Sequence, residues 1–285
     1  MDYLVVAPHT PFFQWQIALL VQSFRVLGME ENLAVLLVAG IEEPVQSHFC
    51  TMFANHARLK AVRLPTDSDP DLIRLHGLSH AIKTGFVSQR FVNLPPYCML
   101  RHPILPPQAN VTFTCQPDFT YNHIDSFGIS SAAVSKRMQD KKQWLPVGDV
   151  FIFDNMTTEF FDLAASRGEM IAFDSYRDLL KAGKDSAPKA LFRAAMSMTL
   201  MEAFGRLKVD TSRRLECKMI EHDQQSCVIN YYYGCPPNFS RCFYPMDGKG
   251  VSFSDHPFSA IQRTPDSFAS LYMKQVIQMF NDQQA

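Results

Sequence analysis

Residues 111–123, Val-Thr-Phe-Thr-Cys-Gln-Pro-Asp-Phe-Thr-Tyr-Asn-His, join an apolar, β-branched run to an aromatic, polar one. Residues 111–115 hold branched and aromatic side chains with no helical breaker, the composition of a buried strand. Pro117 has no amide hydrogen for a ladder, so pairing should stop near it, with Gln116 at the strand end and Asp118 just past it. Open α/β sheets bind ligands outside the carboxyl ends of their strands. An acid there can hold a divalent cation against phosphate oxygens, or it can merely cap a turn. The tripeptide leaves both open.

Two further groups have the right chemistry for a site. Asn230-Tyr231-Tyr232-Tyr233-Gly234 ends an apolar run with three tyrosines, each offering a flat apolar face and a hydroxyl for stacking a base or sugar. The same triplet also suits a packed edge. Trp15, between Gln14 and Gln16, is a similar amphipathic cluster, and His9 and Thr10 stand in the loop just before it. Glu202 sits in a mostly apolar segment, where an acid is either on the helix surface or a positioned group with a partner.

Familiar signatures are missing. GxGxxG and the Walker pattern are absent after the first strand, and HExxH and GxSxG occur nowhere. The seven cysteines, at 50, 98, 115, 217, 227, 235 and 242, form no CxxC pair, which removes zinc-ribbon and thioredoxin readings. A formal charge of −1 gives no global field for nucleic acid, although a local basic patch is compatible with it. The start lacks a basic leader, and no apolar run approaches the roughly 20 residues of a membrane helix. A cytoplasmic protein is expected.

The elements that must position these residues follow from the apolar runs. Residues 3–7 and 33–39 are apolar on both faces, as central parallel strands are. Between them lies a helix from about 11 to 27, with Pro11 suited to its first turn and Gly28 to its stop. A helix over 42–56 and a strand over 60–64 continue a β-α-β-α-β rhythm, which implies a parallel sheet with right-handed crossovers. The spacing then predicts a polar loop over 65–75, helices over 78–88, 95–101 and 130–142, and strands over 111–116, 147–153 and 227–233. Further helices are expected over 157–167, 186–205 and 267–280. No repeat or low-complexity linker interrupts the 285 residues, so one domain is expected.

Taken in order, several segments resemble the hydroxyproline O-arabinosyltransferases and peptidyl serine galactosyltransferases of plants and algae. Phe12-Phe13-Gln14-Trp15-Gln16 resembles the family's Tyr-x-x-Trp-Gln opening, and Asn93-Leu94-Pro95 its Asn-Lys-Pro. Gln116-Pro117-Asp118 resembles Glu-Pro-Asp at the metal position. Met201-Glu202-Ala203-Phe204 resembles a Glu-Met-Tyr element, and residues 230–235 resemble His-Tyr-x-Tyr-Gly-Cys. Three positions depart: Gln116 replaces an acid, Asn230 a histidine, and Leu94 a lysine. Amide carbonyls are weaker ligands for hard cations than carboxylates. Either a weakly held metal or cationic side chains would then neutralise the diphosphate.

The resemblance implies an α/β, GT-A-like glycosyltransferase fold with a Rossmann-like central sheet flanked by helices. Residues 1–125 would bind a nucleotide sugar and residues 126–285 the acceptor. The implied reaction moves a sugar, arabinose or a hexose, from a UDP-sugar to a hydroxyl. Asp118 and Asn230 would hold a divalent metal, manganese or magnesium. His9, Thr10, Trp15, Gln16, Asn93, Gln116, Tyr231, Tyr233 and Gly234 would line the donor. Glu202 and Asp118 would be catalytic. Without a secretory leader, a bacterium or a bacteriophage acting in its host's cytoplasm is the natural setting, and 5-hydroxymethylcytosine in DNA the expected acceptor. Lys136, Arg137, Lys141 and Lys142, or Arg206, Lys208, Arg213 and Arg214, would meet the phosphates. A protein or small-molecule acceptor, or an inactive nucleotide-sugar-binding protein, is the alternative.

Overall fold

A computed structural model describes residues 1–40, 50, 53, 55–65, 69–114, 148–182, 191–203, 206–212, 214–218, 223–230 and 266–282. The described strands form two sheets. The larger has the order β3-β2-β1-β4-β7-β6-β8 and the smaller the order β5-β10-β9. The strands are β1 Asp2–Pro8, β2 Leu33–Val38, β3 Arg58–Val62, β4 Phe91–Leu94, β5 Cys98–Leu100, β6 Val111–Phe113, β7 Phe151–Phe153, β8 Val209–Thr211, β9 Glu216–Lys218 and β10 Val228–Asn230. The helices are α1 Pro11–Val26, α2 Pro70–Lys83, α3 Thr158–Ala182, α4 Leu191–Glu202 and α5 Phe268–Asp282. By its internal contacts the chain divides into one unit of Met1–Arg63, Val92–Pro106 and Arg213–Ala285, and a second of Leu64–Phe91 and Pro107–Ser212. The boundary cuts β4 after Phe91.

In the first unit β1 and β2 are buried along almost their whole length, which is why their sequences are continuously apolar. They pair in parallel, Tyr3 opposite Leu33 through Pro8 opposite Val38, and β3 pairs in parallel on the far side of β2. Helix α1 connects β1 to β2 and packs on β5 and α5. It opens on Pro11 after Thr10, an extended N-cap without a side-chain bond. At its other end Gly28 takes φ +63°, and the amides of Gly28 and Met29 close on the carbonyls of Arg25 and Phe24. This paired closure needs a left-handed residue, and glycine adopts it without a Cβ penalty. Tyr3 stacks edge-on to Phe24 at 5.1 Å, and its hydroxyl accepts from the Ile104 amide. In the small sheet β10 is antiparallel to β5 and parallel to β9.

The second unit is built on aromatic packing. Strand β6 pairs antiparallel with β7 and parallel with β8. Phe91, Phe151, Phe153, Phe161 and Phe192 stack among these strands, α3 and α4 at centroid distances of 5.0 to 6.0 Å. Each such pair contributes about 0.5–1.5 kcal/mol beyond its buried area. Helices α2, α3 and α4 pack on one another. Gly168 makes that approach possible: a Cβ there would stand 2.5 Å from Leu75 Cδ1 and 3.3 Å from Leu191 Cδ2.

Three expectations are corrected. The polar loop over 65–75 is in large part helix α2, because Asp69 caps it from the side chain and Pro70 occupies its first position. The helix expected after Pro95-Pro96 is strand β5, whose pairing with β10 overrides the local signal. Helix α3 runs to Ala182 rather than stopping near Arg167. The helices expected over 42–56 and 130–142 lie mostly or wholly outside the described residues.

Candidate functional site

Strand order in the first unit reverses at β1: β2 and β3 follow on one side, and β4 lies on the other. A crevice at such a reversal, outside the carboxyl ends of the strands, is where open α/β sheets take their ligands. Strand β1 runs there into His9 and Thr10. The His9 amide donates to the Val38 carbonyl at 2.8 Å, extending the ladder one residue past the strand. Its ring is buried, with Nε2 3.9 Å from the Cys50 thiol sulfur. Thr10 turns the chain into α1, and its carbonyl accepts from the amides of Phe13 and Gln14. Gln16, on the following turn, is buried, and among the described residues its Oε1 has no hydrogen-bond partner. A buried acceptor without a donor costs about 1–3 kcal/mol, which structures retain mainly where something else is gained.

Asn93 lies on β4 beside β1, fully buried, and its side-chain nitrogen donates to the Leu4 carbonyl at 3.2 Å. Strand β4 ends at Leu94, and Pro95-Pro96-Tyr97 leads directly into β5. The Cys98 thiol closes that turn by donating to the Pro95 carbonyl at 3.1 Å. Cys98 is in turn the register partner of Asn230, the last residue of β10. Asn230 is buried and its amide nitrogen reaches Glu216 Oε2 at 3.4 Å. His9, Thr10, Gln16, Asn93 and Asn230 therefore all belong to one unit, with His9, Thr10 and Gln16 at the end of β1 and Asn93 and Asn230 around the end of β4.

Glu202 lies on the helix surface, one of the two placements its apolar segment allows, and it has a partner. It is the last residue of α4, in the second unit, and it is exposed. Its carboxylate pairs with the Arg167 guanidinium of α3 at 2.7 Å. Near the other end of α4, Asp71 of α2 accepts from the Phe192 amide at 3.0 Å, and burial pushes its carboxyl up to about 6. Arg74 packs 3.7 Å over the Phe192 ring and donates to the Asp149 carbonyl, so α2, α4 and the lead into β7 share one polar joint. Of β6, only the strand itself and Thr114 are described. Gln116, Asp118, Tyr231, Tyr233 and Gly234 lie outside the described residues, as does the side chain of Trp15.

Among the described residues no group of three or more His, Cys, Asp or Glu side chains converges as a metal cage. In the small sheet, where β10 meets β9, the Asn230 amide and the Glu216 carboxylate are two side chains able to offer oxygen to a cation. A hard cation accepts both types but collects six or more such ligands. Among the described residues these two groups alone fall short of that number, and it is the nitrogen of the Asn230 amide that faces Glu216. Sequence reading missed Glu216 and Cys50. Neither carried a signal: Glu216 sits in a three-residue strand, and its meeting with Asn230 depends on a pairing across the small sheet.

No protein-family model matches the chain, and no curated protein sequence matches it. Solved structures do. The galactosyltransferase LgtC, in complex with donor and acceptor sugar analogues, superposes with a TM-score of 0.52 at 9% identity, over 97% of this chain and 95% of that one. An active-site mutant of LgtC gives 0.49 at 8% identity, covering 98% and 96%. The glycosyltransferase GlyE of Streptococcus pneumoniae TIGR4 gives 0.48 at 8%, covering 99% of this chain and 63% of its own. At such identity the first of these shows architecture alone. The chain has an α/β, GT-A-like glycosyltransferase fold, with a seven-stranded sheet flanked by helices.

Proposed function

We propose that the protein is a glycosyltransferase that moves a sugar, arabinose or a hexose, from a UDP-sugar to an acceptor hydroxyl. The observation that carries this is full-length similarity in fold to LgtC, joined to a set of buried polar groups around the strand-order reversal at β1. In the reaction the bond between the anomeric carbon and the diphosphate oxygen breaks, and one to the acceptor oxygen forms. The acceptor's proton must leave, and the diphosphate carries away the bonding pair. Stabilising that departing charge is usually the largest catalytic contribution.

His9, Thr10, Trp15, Gln16, Asn93, Gln116, Tyr231, Tyr233 and Gly234 bind the donor in this reading, with the tyrosines and Trp15 offering faces for the base or sugar. Glu202 receives the acceptor's proton or orients the hydroxyl. A divalent cation, when bound, would be held by Asp118 and Asn230 and would neutralise the leaving diphosphate. The direct test is thermal unfolding with UDP-, GDP- and CDP-sugars, with and without manganese. A UDP-sugar at 100 times its Kd should stabilise by about 2.7 kcal/mol. Asp118→Ala should abolish transfer with little change in Tm; wild-type turnover in that variant would remove Asp118 from the mechanism.

The acceptor we infer is 5-hydroxymethylcytosine in DNA, in the cytoplasm of a bacterium or of a phage's host. Its support is exposed positive charge despite the formal −1: Arg206 and Lys208, both in the second unit, are exposed. No described helix is long and apolar enough to cross a membrane. Incubation with UDP-sugars and hydroxymethylated DNA, followed by digestion to nucleosides, should add a pentose or hexose mass to that base alone. Glycosylation of a hydroxyproline or serine peptide instead would establish the protein-acceptor alternative.

A further inference from the structure

Strand β1 leaves its ladder at His9, whose amide bonds the Val38 carbonyl, and β2 leaves at Ala39, whose amide bonds the Val62 carbonyl at 2.9 Å. Both segments emerge at the carboxyl edge of the parallel strands, the side on which open α/β sheets take ligands. Cys50 belongs to the stretch that follows β2, and it comes back to that edge: its sulfur lies 3.9 Å from His9 Nε2. The thiol is half-exposed, within reach of a reagent in solution, while the imidazole is buried. In the tautomer that carries its hydrogen on Nδ1, Nε2 accepts from the thiol.

Cys227 is the useful comparison. It too is half-exposed, but its thiol faces the Pro103 carbonyl at 3.8 Å, and burial and the Asp223 charge push its titration up. A carbonyl cannot take a proton, and an imidazole can. The thiolate is the attacking form, so the neighbouring base decides between two thiols of similar exposure. Cys98 and Cys217 are buried. A second polar group stands at the end of β1. Gln16 is 2% exposed, and among the described residues its Oε1 has no hydrogen-bond partner. A buried acceptor of that kind calls for a donor hydrogen from a bound molecule or water.

We propose that Cys50 is a site of covalent modification in the donor crevice: His9 takes the thiol proton as the sulfur attacks a soft electrophile, and the substituent and a sugar nucleotide exclude each other. A bond forms between the Cys50 sulfur and the electrophilic carbon. The leaving group on that carbon departs with its bonding pair, and the proton rests on His9 Nε2 until solvent removes it. Nothing is oxidised or reduced. The modification needs no transferase activity; the exclusion rests on the glycosyltransferase reading and adds a residue to it.

The probe is iodoacetamide, which loses iodide, applied to the full chain with peptide mapping to follow each cysteine separately. In the wild-type protein Cys50 should label about tenfold or more faster than Cys227, the least that a placed base contributes to proton removal. His9→Asn should bring the Cys50 rate down to that of Cys227. Circular dichroism checks its folding; if the variant does not fold, the comparison within the wild-type protein carries the test. Binding of UDP-glucose, UDP-galactose and UDP-arabinose is measured by titration calorimetry with manganese. A sugar nucleotide that binds, present at about ten times its Kd, should slow Cys50 labelling about tenfold and leave Cys227 unaffected, because only unliganded protein reacts.

Equal labelling of Cys50 and Cys227, or a Cys50 rate indifferent to His9→Asn, would overturn the pairing with His9. Labelling at full rate beside a sugar nucleotide shown to bind would put Cys50 outside the donor crevice. If none of the three binds while Cys50 still labels fast and through His9, the transferase reading has failed and the modification site stands.

Discussion

Single residues divide here into those whose chemistry the sequence announces and those that only neighbours define. Asp71 is of the second kind. Burial raises its carboxyl from 3.8 to about 6, against the lowering effect of the Phe192 amide bond. A folded-state pKa above the unfolded one means that its contribution is full below about pH 4 and is lost as pH climbs through about 6. The shift is worth at most roughly 3 kcal/mol, and less because the residue is only half-buried. Asp71→Asn keeps an oxygen for the Phe192 amide and removes the charge. It should flatten the fall in Tm between pH 4 and 6.5 and raise Tm at neutral pH; an unchanged profile would show that Asp71 does not titrate there. Glu202 can be judged the same way. Its bridge to Arg167 is partly exposed and worth about 0–1 kcal/mol, so Glu202→Gln should barely move Tm. If it takes the acceptor's proton, turnover should fall on the order of a hundredfold. Full activity with a small loss of stability would make it a surface ion pair. Sequence pointed to His9, Gln16 and Asn230 as polar residues at expected strand ends, and to Asn93 through the family resemblance alone. Glu216 was invisible: nothing local marks an acid that meets its partner only across a sheet.

Elements were legible where their signals were local. β1, α1 and β2 follow from unbroken apolar runs and from a proline and a glycine at the two ends of the helix. The same kind of signal was present and passed over in α2, where Asp69-Pro70-Asp71 supplies a cap, a first-turn proline and an early acid. Asp69 accepts from the amides of Asp71 and Leu72 at 2.8 and 3.2 Å. Asp69→Ala should cost about 1 kcal/mol, read as a lower denaturation midpoint with the slope unchanged. A loss well below that would mean that packing against α3 and α4 sets the start of the helix instead. Strand β5 had no comparable cue. Three residues cannot declare a strand on their own, and Pro95-Pro96 points toward a helix start until β10 is there to pair.

At the scale of the whole chain the formal charge of −1 conceals its distribution. If exposed lysines and arginines meet DNA phosphates, affinity should fall linearly with the logarithm of salt, at about 0.9 per phosphate neutralised on duplex DNA. Reversing Lys141 and Lys142 to Glu should reduce that slope and weaken DNA transfer while donor hydrolysis continues. A slope near zero would argue for another acceptor. The chain also threads back on itself: the first unit takes its residues from three separate stretches, and β5 pairs with a strand that comes after the whole second unit in sequence. On the ribosome this sets a schedule. β1, β2 and β3 can join early, since their partners are close in sequence, but Cys98, Met99 and Leu100 must wait until synthesis has passed Asn230. During that wait a short apolar strand has an unmet edge, which is open to mispairing with other nascent chains. The small sheet thus closes only after Val228–Asn230 has been made, long after β1, β2 and β3 are free to pair.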